Sequence, residues 1–462
     1  MLFNSLLFLF FFVIVTITYY LLPQRFRWIW LLLASCYFYM YFKPVYVLII
    51  FATILIDYTA GILIARSRGK HLKKLFLIVS LITNIGILAF YKYFTFIADN
   101  INLLLHHFHT PEIPFINIIL PLGLSFHTFQ AMSYTIEVYR GKQPAERHLG
   151  IYALYVMFYP QMVAGPIERP QNILPQLHKR INFSSDNIIS GMYTMSIGFF
   201  KKVVIADRLD MYVSPVFSNP KAHSSLDLII ATYFFALQIY CDFSGYSDIA
   251  IGAAQTLGIK LMDNFNMPYL STNISDFWRR WHISLSTWFR DYLYIPLGGS
   301  RVSFFITCIN LLIVFTISGL WHGANWKYIV WGAVHGCLLI LYMVAGKYNL
   351  RIKGLTLLKW FITFNLVCIA WIFFRANNVG DAFFILHKIL AAGNFVYTAA
   401  SIMPLNEIYY CIVLMGILIG GEYYIRKLQL SQSKKVVALI GLSVLCYFFG
   451  VFNETQFIYF QF

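Results

Sequence analysis

Long apolar runs recur along almost the whole chain, and they limit the folds that this sequence can adopt. Several approach the length of about 20 residues that a helix needs to cross a bilayer, and such a run with few charges is typical of a transmembrane helix. The runs lie at residues 1–22, 28–42, 45–64, 75–91, 116–136, 188–206, 227–253, 304–321, 327–346, 360–374, 407–424 and 436–452.

The composition of the chain agrees with this interpretation. The sequence is 59% hydrophobic and 12% charged, whereas soluble domains are about 45–50% apolar and about 25% charged. We expect an all-α polytopic membrane protein with about ten to twelve transmembrane helices. Re-entrant or interfacial helices would complete it and enclose a tunnel, and residues 1–462 would form one integral-membrane domain.

The formal charge of +16 is distributed in a way that favours a membrane over nucleic acid. Lys and Arg cluster in short loops between apolar runs, most clearly at Arg25 and Arg27, at 66–74 and at 426–435. This pattern marks the cytoplasmic face of a membrane protein. We therefore expect the lipid bilayer as a partner and no nucleic acid. Lys201 and Lys202 fit this scheme poorly, because they stand inside an apolar run.

The run at 150–165 is interrupted by Pro160, Gly165 and Pro166. Irregular backbone is tolerated at membrane depth only where protein encloses it. We expect a re-entrant or protein-enclosed segment there, not a crossing.

His322 stands in Gly-Leu-Trp-His-Gly-Ala, between two apolar runs. An ionisable group at membrane depth is costly unless it is paired or used, so His322 is a candidate functional residue. The alternative is a hydrogen-bonded histidine at a helix end. The basic loops on either side place its turn away from the cytoplasm. We assign Trp321 and Asn325 of this turn, and Asp242 from another run, to the lining of the tunnel.

The segment at 273–297 is too polar for a lipid-exposed span and too aromatic for a solvated loop. Its spacing predicts one amphipathic helix at the cytoplasmic surface, with Ser275 as N-cap and with His282 at the boundary between its two faces. The simplest interpretation is an interfacial anchor. The functional alternative is an acyl-donor site, because guanidinium groups suit phosphate. We assign to it Arg279, Arg280, Arg290, Trp278 and Trp281.

No metal site or tightly bound cofactor is expected. The seven cysteines are scattered through apolar stretches without a Cys-x-x-Cys pair, and they resemble small core residues. The acidic residues between Cys241 and Asp248 match no metal-loop spacing.

The two histidine segments together resemble the membrane-bound O-acyltransferase (MBOAT) family. The likeness extends through 121–126, 132–136, 160–166, 241–248 and 373–376, and thus over most of the chain. Within the family it is strongest to bacterial O-acetyltransferases of alginate, other polysaccharides and peptidoglycan.

The resemblance implies that His322 and His282 are catalytic. It also implies a multi-pass protein of the bacterial cytoplasmic membrane, with acetyl-CoA or an acyl-carrier thioester as donor and a glycan as acceptor. A separate periplasmic or extracellular acetyltransferase is the expected partner. In the expected reaction His322 acts as general base, or carries the acyl group, and His282 or backbone N–H groups near Gly323 stabilise the oxyanion. A D-alanyl transferase for teichoic acid and a polysaccharide transporter or flippase are the alternatives.

Overall fold

The computed structural model describes residues 1–116, 118–163, 165–350, 354–391, 395–427 and 430–452. Within these ranges the chain forms helices and turns and contains no strand. The α-helices are α1 Leu6–Leu21, α2 Gln24–Met40, α3 Val47–Arg66, α4 Lys70–Leu88, α5 Phe94–His107, α6 Leu124–Tyr139, α7 Leu149–Met157, α8 Tyr159–Met162, α9 Pro170–His178, α10 Ser185–Phe199, α11 Asp207–Ser218, α12 Ser225–Thr256, α13 Ile274–Arg280, α14 Ile283–Phe289, α15 Phe304–His322, α16 Trp326–Lys347, α17 Thr356–Arg375, α18 Val379–Leu390, α19 Leu405–Lys427 and α20 Gln432–Phe449.

Shorter helical segments connect some of these elements. Three have the wider π-helical geometry, at Ala89–Tyr93, Phe200–Ala206 and Arg290–Tyr294. Single 3₁₀ turns lie at Pro44–Tyr46, Pro220–Ala222, Pro268–Leu270 and Ala399–Ser401.

Nine helices in the described part of the chain are long and apolar enough to cross a membrane. A helix is favoured in lipid because each backbone N–H finds a carbonyl within its own segment. The prediction of an all-α, multi-pass membrane protein is confirmed. The nine helical segments are Pro44–Arg66, Lys70–His107, Ser185–Ser218, Ser225–Thr256, Phe304–His322, Trp326–Lys347, Thr356–Arg375, Leu405–Tyr424 and Gln432–Phe449, and Leu6–Leu21 is a shorter apolar helix.

The chain divides into two compact units. The first comprises Met1–Met195 and Ile249–Met262, and the second comprises Ser196–Asp248 and Asp263–Phe462. The organisation as one integral domain stays a prediction.

In the first unit, a polar cluster joins α3 to α4. The Asp57 carboxylate on α3 is fully buried and accepts hydrogen bonds from Ser80 Oγ at 2.6 Å and Asn84 Nδ2 at 2.9 Å on α4. Buried polar groups are stable only when hydrogen-bonded, so these contacts fix the register of the two helices.

The interrupted run of the first unit folds as α7 and α8, two short helices that are almost entirely buried in protein. This agrees with the expectation of an enclosed segment in place of a crossing.

In the second unit, α15 and α16 form a closely packed antiparallel pair. Two glycines permit the approach: a Cβ on Gly319 would lie 2.1 Å from the Tyr328 carbonyl oxygen, and a Cβ on Gly332 would lie 2.1 Å from that of Phe315. Any side chain at either position would force the helices apart. The short turn between α15 and α16 therefore holds His322, at the end of α15, against residues of α16.

The two lysines that fit poorly in the sequence lie in the π-helical segment of the second unit, and both are buried. Lys202 Nζ lies 2.8 Å from Asp207 Oδ1 and 2.6 Å from Asp242 Oδ1. Lys201 Nζ lies 2.8 Å from Asp248 Oδ2 and 2.5 Å from Glu422 Oε1. These lysines are neutralised inside the protein and are not loop charges. The third basic cluster, at 426–435, lies partly outside the described residues.

Candidate active site

The prediction of one continuous helix over 273–297 is wrong. The helix breaks at Trp281 and His282, between α13 and α14. His282 adopts a left-handed backbone with φ 43° and ψ 55°, a conformation that is uncommon for residues other than glycine but enriched for histidine. The N-cap of α13 is Asn273, not Ser275: the Asn273 side chain accepts a hydrogen bond from the Asp276 N–H at 2.8 Å.

A second stretch of chain compensates the break. The Asn266 N–H donates to the Arg280 carbonyl at the end of α13, and the Ile283 N–H at the start of α14 donates to the Asn264 carbonyl, both at 2.9 Å. Helix ends leave backbone groups without partners inside the helix. The segment 264–266 supplies these partners, which sequence periodicity cannot reveal because the contact is not local.

The break brings the two predicted catalytic histidines together in the second unit. The ring centroids of His282 and His322 are 6.4 Å apart, and the side chains are 0% and 3% exposed. Both imidazoles thus lie inside the protein, where water is largely excluded and electrostatic interactions are strong.

Aromatic rings surround His322. Trp321, Trp331 and Phe374 meet it edge-on at centroid distances of 5.0, 5.1 and 5.5 Å. Of these three rings, only Trp321 is predicted from the sequence to lie at the site. Trp331 stands one turn before His335 on α16, across the turn from His322, whereas Phe374 lies near the end of α17 and is distant from His322 in the sequence.

His282 is held between polar and aromatic neighbours. The Phe243 ring on α12 meets it edge-on at 4.6 Å, and its Nδ1 lies 3.1 Å from Asn264 Oδ1. Burial lowers the pKa of His282 to about 3, because removal from water disfavours the charged imidazolium. His282 is therefore neutral throughout the physiological range.

The predicted donor-binding residues separate into two groups. Arg279, Arg290 and Trp278 line one cavity of about 350 Å³. Arg280 pairs with Asp276, with Nε 3.0 Å from Oδ2. Trp281 is buried against Phe265 and Trp371 and does not line this cavity.

The cavity is largely apolar, with arginines at exposed positions. Arg279 and Arg290 are exposed, and Arg290 Nε donates to Asp291 Oδ1 at 2.8 Å. Ser318 also lines the cavity and stands on α15 one helical turn before His322. The cavity thus combines two arginine side chains with mostly apolar walls. The remaining lining residues are Ser275, Ile283, Leu285, Ser286, Thr287, Phe289, Tyr294, Leu311, Val314, Phe315 and Leu339.

The residues assigned to the tunnel have structural contacts. The Asn325 side chain caps α16 by accepting a hydrogen bond from the Lys327 N–H at 3.0 Å. Trp321 packs beside both histidines, at 6.2 Å from His282. Asp242 is ion-paired with Lys202.

His335 is also close to this site. Its Nδ1 accepts a hydrogen bond from Trp278 Nε1 at 3.3 Å, and Trp331 lies between His335 and His322, with ring centroids 5.0 and 5.1 Å away. In the described part of the chain, no group of three or more His, Cys, Asp or Glu side chains could hold a metal ion.

Comparison with known proteins gives a consistent result. Residues 148–380 match the membrane-bound O-acyltransferase family. The chain is 40% identical to the probable alginate O-acetylase AlgI of Pseudomonas aeruginosa, over 82% of this chain and 73% of that protein. It is 34% identical to the peptidoglycan O-acetyltransferase of Helicobacter pylori, over 100% of this chain and 98% of the relative. A teichoic acid D-alanyltransferase of Bacillus subtilis is more distant, at 29% identity over 58% of this chain and 71% of that protein.

Proposed function

Since this chain belongs to the membrane-bound O-acyltransferase family and is an acyltransferase, we propose that it moves an acetyl group from a cytoplasmic thioester to a hydroxyl outside the bacterial cytoplasmic membrane. The final acceptor is a polysaccharide or peptidoglycan, reached through a separate extracytoplasmic acetyltransferase. The observation that carries the proposal is the pair of buried histidines, 6.4 Å apart, together with a cavity lined by Arg279 and Arg290 that also includes Ser318, one helical turn before His322.

The cavity accounts for donor binding. Arg279 and Arg290 bind the phosphates of acetyl-CoA or of a phosphopantetheine carrier, since guanidinium groups form paired hydrogen bonds with phosphate. The pantetheine arm lies along the apolar lining towards Ser318, and the thioester reaches His322 one turn further along α15.

The chemistry requires a base in a dry site. His322 removes the proton from the acceptor hydroxyl, and the oxygen attacks the thioester carbonyl carbon. The C–S bond breaks, and the thiolate takes the proton from the imidazolium. A positioned general base contributes about 10²–10⁴ in rate.

Acetyl transfer is favoured over transfer of D-alanine. The O-acetyltransferase relatives match over 82% or more of this chain, whereas the teichoic acid D-alanyltransferase matches over 58%. A D-alanyl transferase would require an amino-acylated carrier protein as donor. A transporter or flippase would consume no acyl donor.

The first prediction concerns His322→Gln, compared with His335→Gln as a matched control. Both substitutions remove a buried imidazole from the same unit, and glutamine preserves volume and hydrogen bonding but not basicity. We expect His322→Gln to reduce the O-acetyl content of the envelope glycan by at least about a hundredfold, and His335→Gln to retain most of it. The measurement is mass spectrometry of the glycan, with protein amount and melting temperature in detergent as companions.

Three outcomes are informative. Unchanged O-acetylation with His322→Gln would overturn the proposal. Equal loss in both variants, together with a lowered melting temperature, would make His322 a structural residue. If the glycan itself disappeared from the outside of cells carrying His322→Gln, and the wild-type protein consumed no acyl donor, the protein would be a transporter.

A further inference from the structure

Asn264 is buried and lies beside His282, although it is distant from the histidine motifs in the sequence. Its Oδ1 is 3.1 Å from His282 Nδ1, 2.9 Å from Ser284 Oγ and 3.3 Å from the Ser284 backbone N–H. Its Nδ2 donates to Ser247 Oγ at 3.3 Å. Asn264 therefore connects α12 to both the ring and the backbone around His282.

The Ser284 backbone fixes the orientation of the Asn264 amide. A backbone N–H can only donate a hydrogen bond, so the amide atom facing it must be the oxygen. The same oxygen faces His282 Nδ1, and an acceptor there requires a proton on Nδ1. In a neutral imidazole the other nitrogen, Nε2, then carries the lone pair.

The same residue supports the strained backbone of His282. A left-handed conformation is unfavourable for a residue other than glycine and persists only where its surroundings enforce it. The Asn264 carbonyl accepts from the Ile283 N–H at 2.9 Å, while its side chain accepts from Ser284. The backbone carbonyl and the side chain of Asn264 thus both hold the turn, which places the His282 ring centroid 6.4 Å from that of His322.

We propose that Asn264 is a positioning residue that holds His282 in the neutral tautomer protonated on Nδ1, so that Nε2 presents a lone pair in the His282–His322 pair. The inference rests on the proposed function, because it gives His282 a defined role in acyl transfer. His282 then accepts a hydrogen bond through Nε2 and does not donate one to the oxyanion. This differs from the donor role that the sequence allowed for His282.

The titratable and charged groups around His282 determine how the protonation of its imidazole depends on pH. The titratable ring that packs against it is His322 on α15. On α12, Asp242 precedes Phe243 and is paired with Lys202, which also contacts Asp207. The pKa of His282 is lowered to about 3, so the neutral form is lost only when the pH falls towards that value.

The test compares Asn264→Asp with Ser247→Ala. A carboxylate opposite Nδ1–H stabilises the imidazolium, so the pKa of His282 should rise by about one to three units in Asn264→Asp. We expect the acid limb of kcat against pH to move upward by a similar amount, with activity recovering at alkaline pH. Ser247→Ala removes only the partner of Nδ2 and should leave the pH profile at its wild-type position.

A uniform loss of activity in Asn264→Asp, without any displacement of the acid limb, would overturn the inference. If the variant fails to fold, the tautomer is measured in the wild-type protein by ¹³C and ¹⁵N resonances of labelled histidine, assigned by comparison with His282→Asn. A proton on Nδ1 is expected, and a proton on Nε2 would contradict the inference. This readout does not depend on acyl transfer, so it separates failure of the inference from failure of the proposed function.

Discussion

Lys202 shows how strongly single residues depend on partners inside this protein. Its side chain is 3% exposed and lies between Asp207 and Asp242, in a π-helical stretch within an apolar run. Removing an ammonium from water costs several kcal/mol, which two close carboxylates offset. Because those partners lie on α11 and α12, the sequence showed a misplaced lysine where the structure contains an ion-paired one.

The second residue-scale prediction concerns Lys202→Met. Removing one partner of a buried pair leaves uncompensated charge and costs about 3–5 kcal/mol of unfolding free energy. We expect a clearly lower melting temperature in detergent, and partial recovery when Asp242→Asn is added. The exposed Lys221 provides the control, and Lys221→Met should change the stability by less than about 0.5 kcal/mol. Equal melting temperatures for Lys202→Met and Lys221→Met would show that the ion pairs of Lys202 do not stabilise the protein.

Helices differ in how well the sequence predicts them. Long apolar runs such as the one forming α15 are readily predicted as helices, because in lipid the backbone must satisfy its hydrogen bonds within the segment. The break between α13 and α14 escapes prediction for a different reason. The aromatic stripe continues at helical spacing through Trp281, whereas the break depends on the segment 264–266, which is distant in the sequence. Local periodicity predicts a helical face, but it does not predict where another stretch of chain replaces the helix's own hydrogen bonds.

At the level of helix pairs, Gly332→Ala should separate α15 from α16. Its Cβ would lie 2.1 Å from the Phe315 carbonyl oxygen, and overpacking of this kind costs about 1–3 kcal/mol. We expect a lower melting temperature and slower acyl transfer, because Trp331 next to Gly332 contacts His322.

The control for this prediction is Gly416→Ala on α19. A Cβ at Gly416 has no neighbour within 4 Å, so alanine should leave activity unchanged and slightly stabilise the helix. Wild-type stability and activity in Gly332→Ala would show that the two helices do not need this close approach.

Over the whole chain, the distribution of apolar surface is that of a protein surrounded by lipid. Large apolar residues such as Leu6 and Phe10 are 74% and 68% exposed, and no residue of α20 (Gln432–Phe449) is buried. In water such continuous apolar surface would favour aggregation. Composition and loop charge predicted this class of protein, because both depend on the solvent and not on specific contacts. The position of each functional side chain depends on specific contacts and could not be obtained in this way.

The orientation across the membrane provides a prediction for the complete protein. The basic residues at 66–74 should face the cytoplasm, and the turn after α5 should face outside. In a chain without its seven native cysteines, Cys introduced by Arg68→Cys should react with a membrane-impermeant maleimide only after permeabilisation. Cys introduced by Thr110→Cys should react in intact cells. If Arg68→Cys reacted in intact cells and Thr110→Cys only after permeabilisation, the orientation of the protein would be the reverse of the predicted one. The acyl donor site would then face outside and the acceptor site would face the cytoplasm.

The left-handed backbone at His282 has a consequence for the evolution of this enzyme. Among residues other than glycine, asparagine and aspartate tolerate that conformation best, and β-branched residues tolerate it worst. A mutation that removes the imidazole can therefore be inherited by a folded chain mainly as asparagine, aspartate or glycine, whatever the chemistry of the new side chain. The backbone conformation thus limits which substitutions are possible at this position, independently of their effect on catalysis. Evolution of the site is therefore restricted to a small set of replacements.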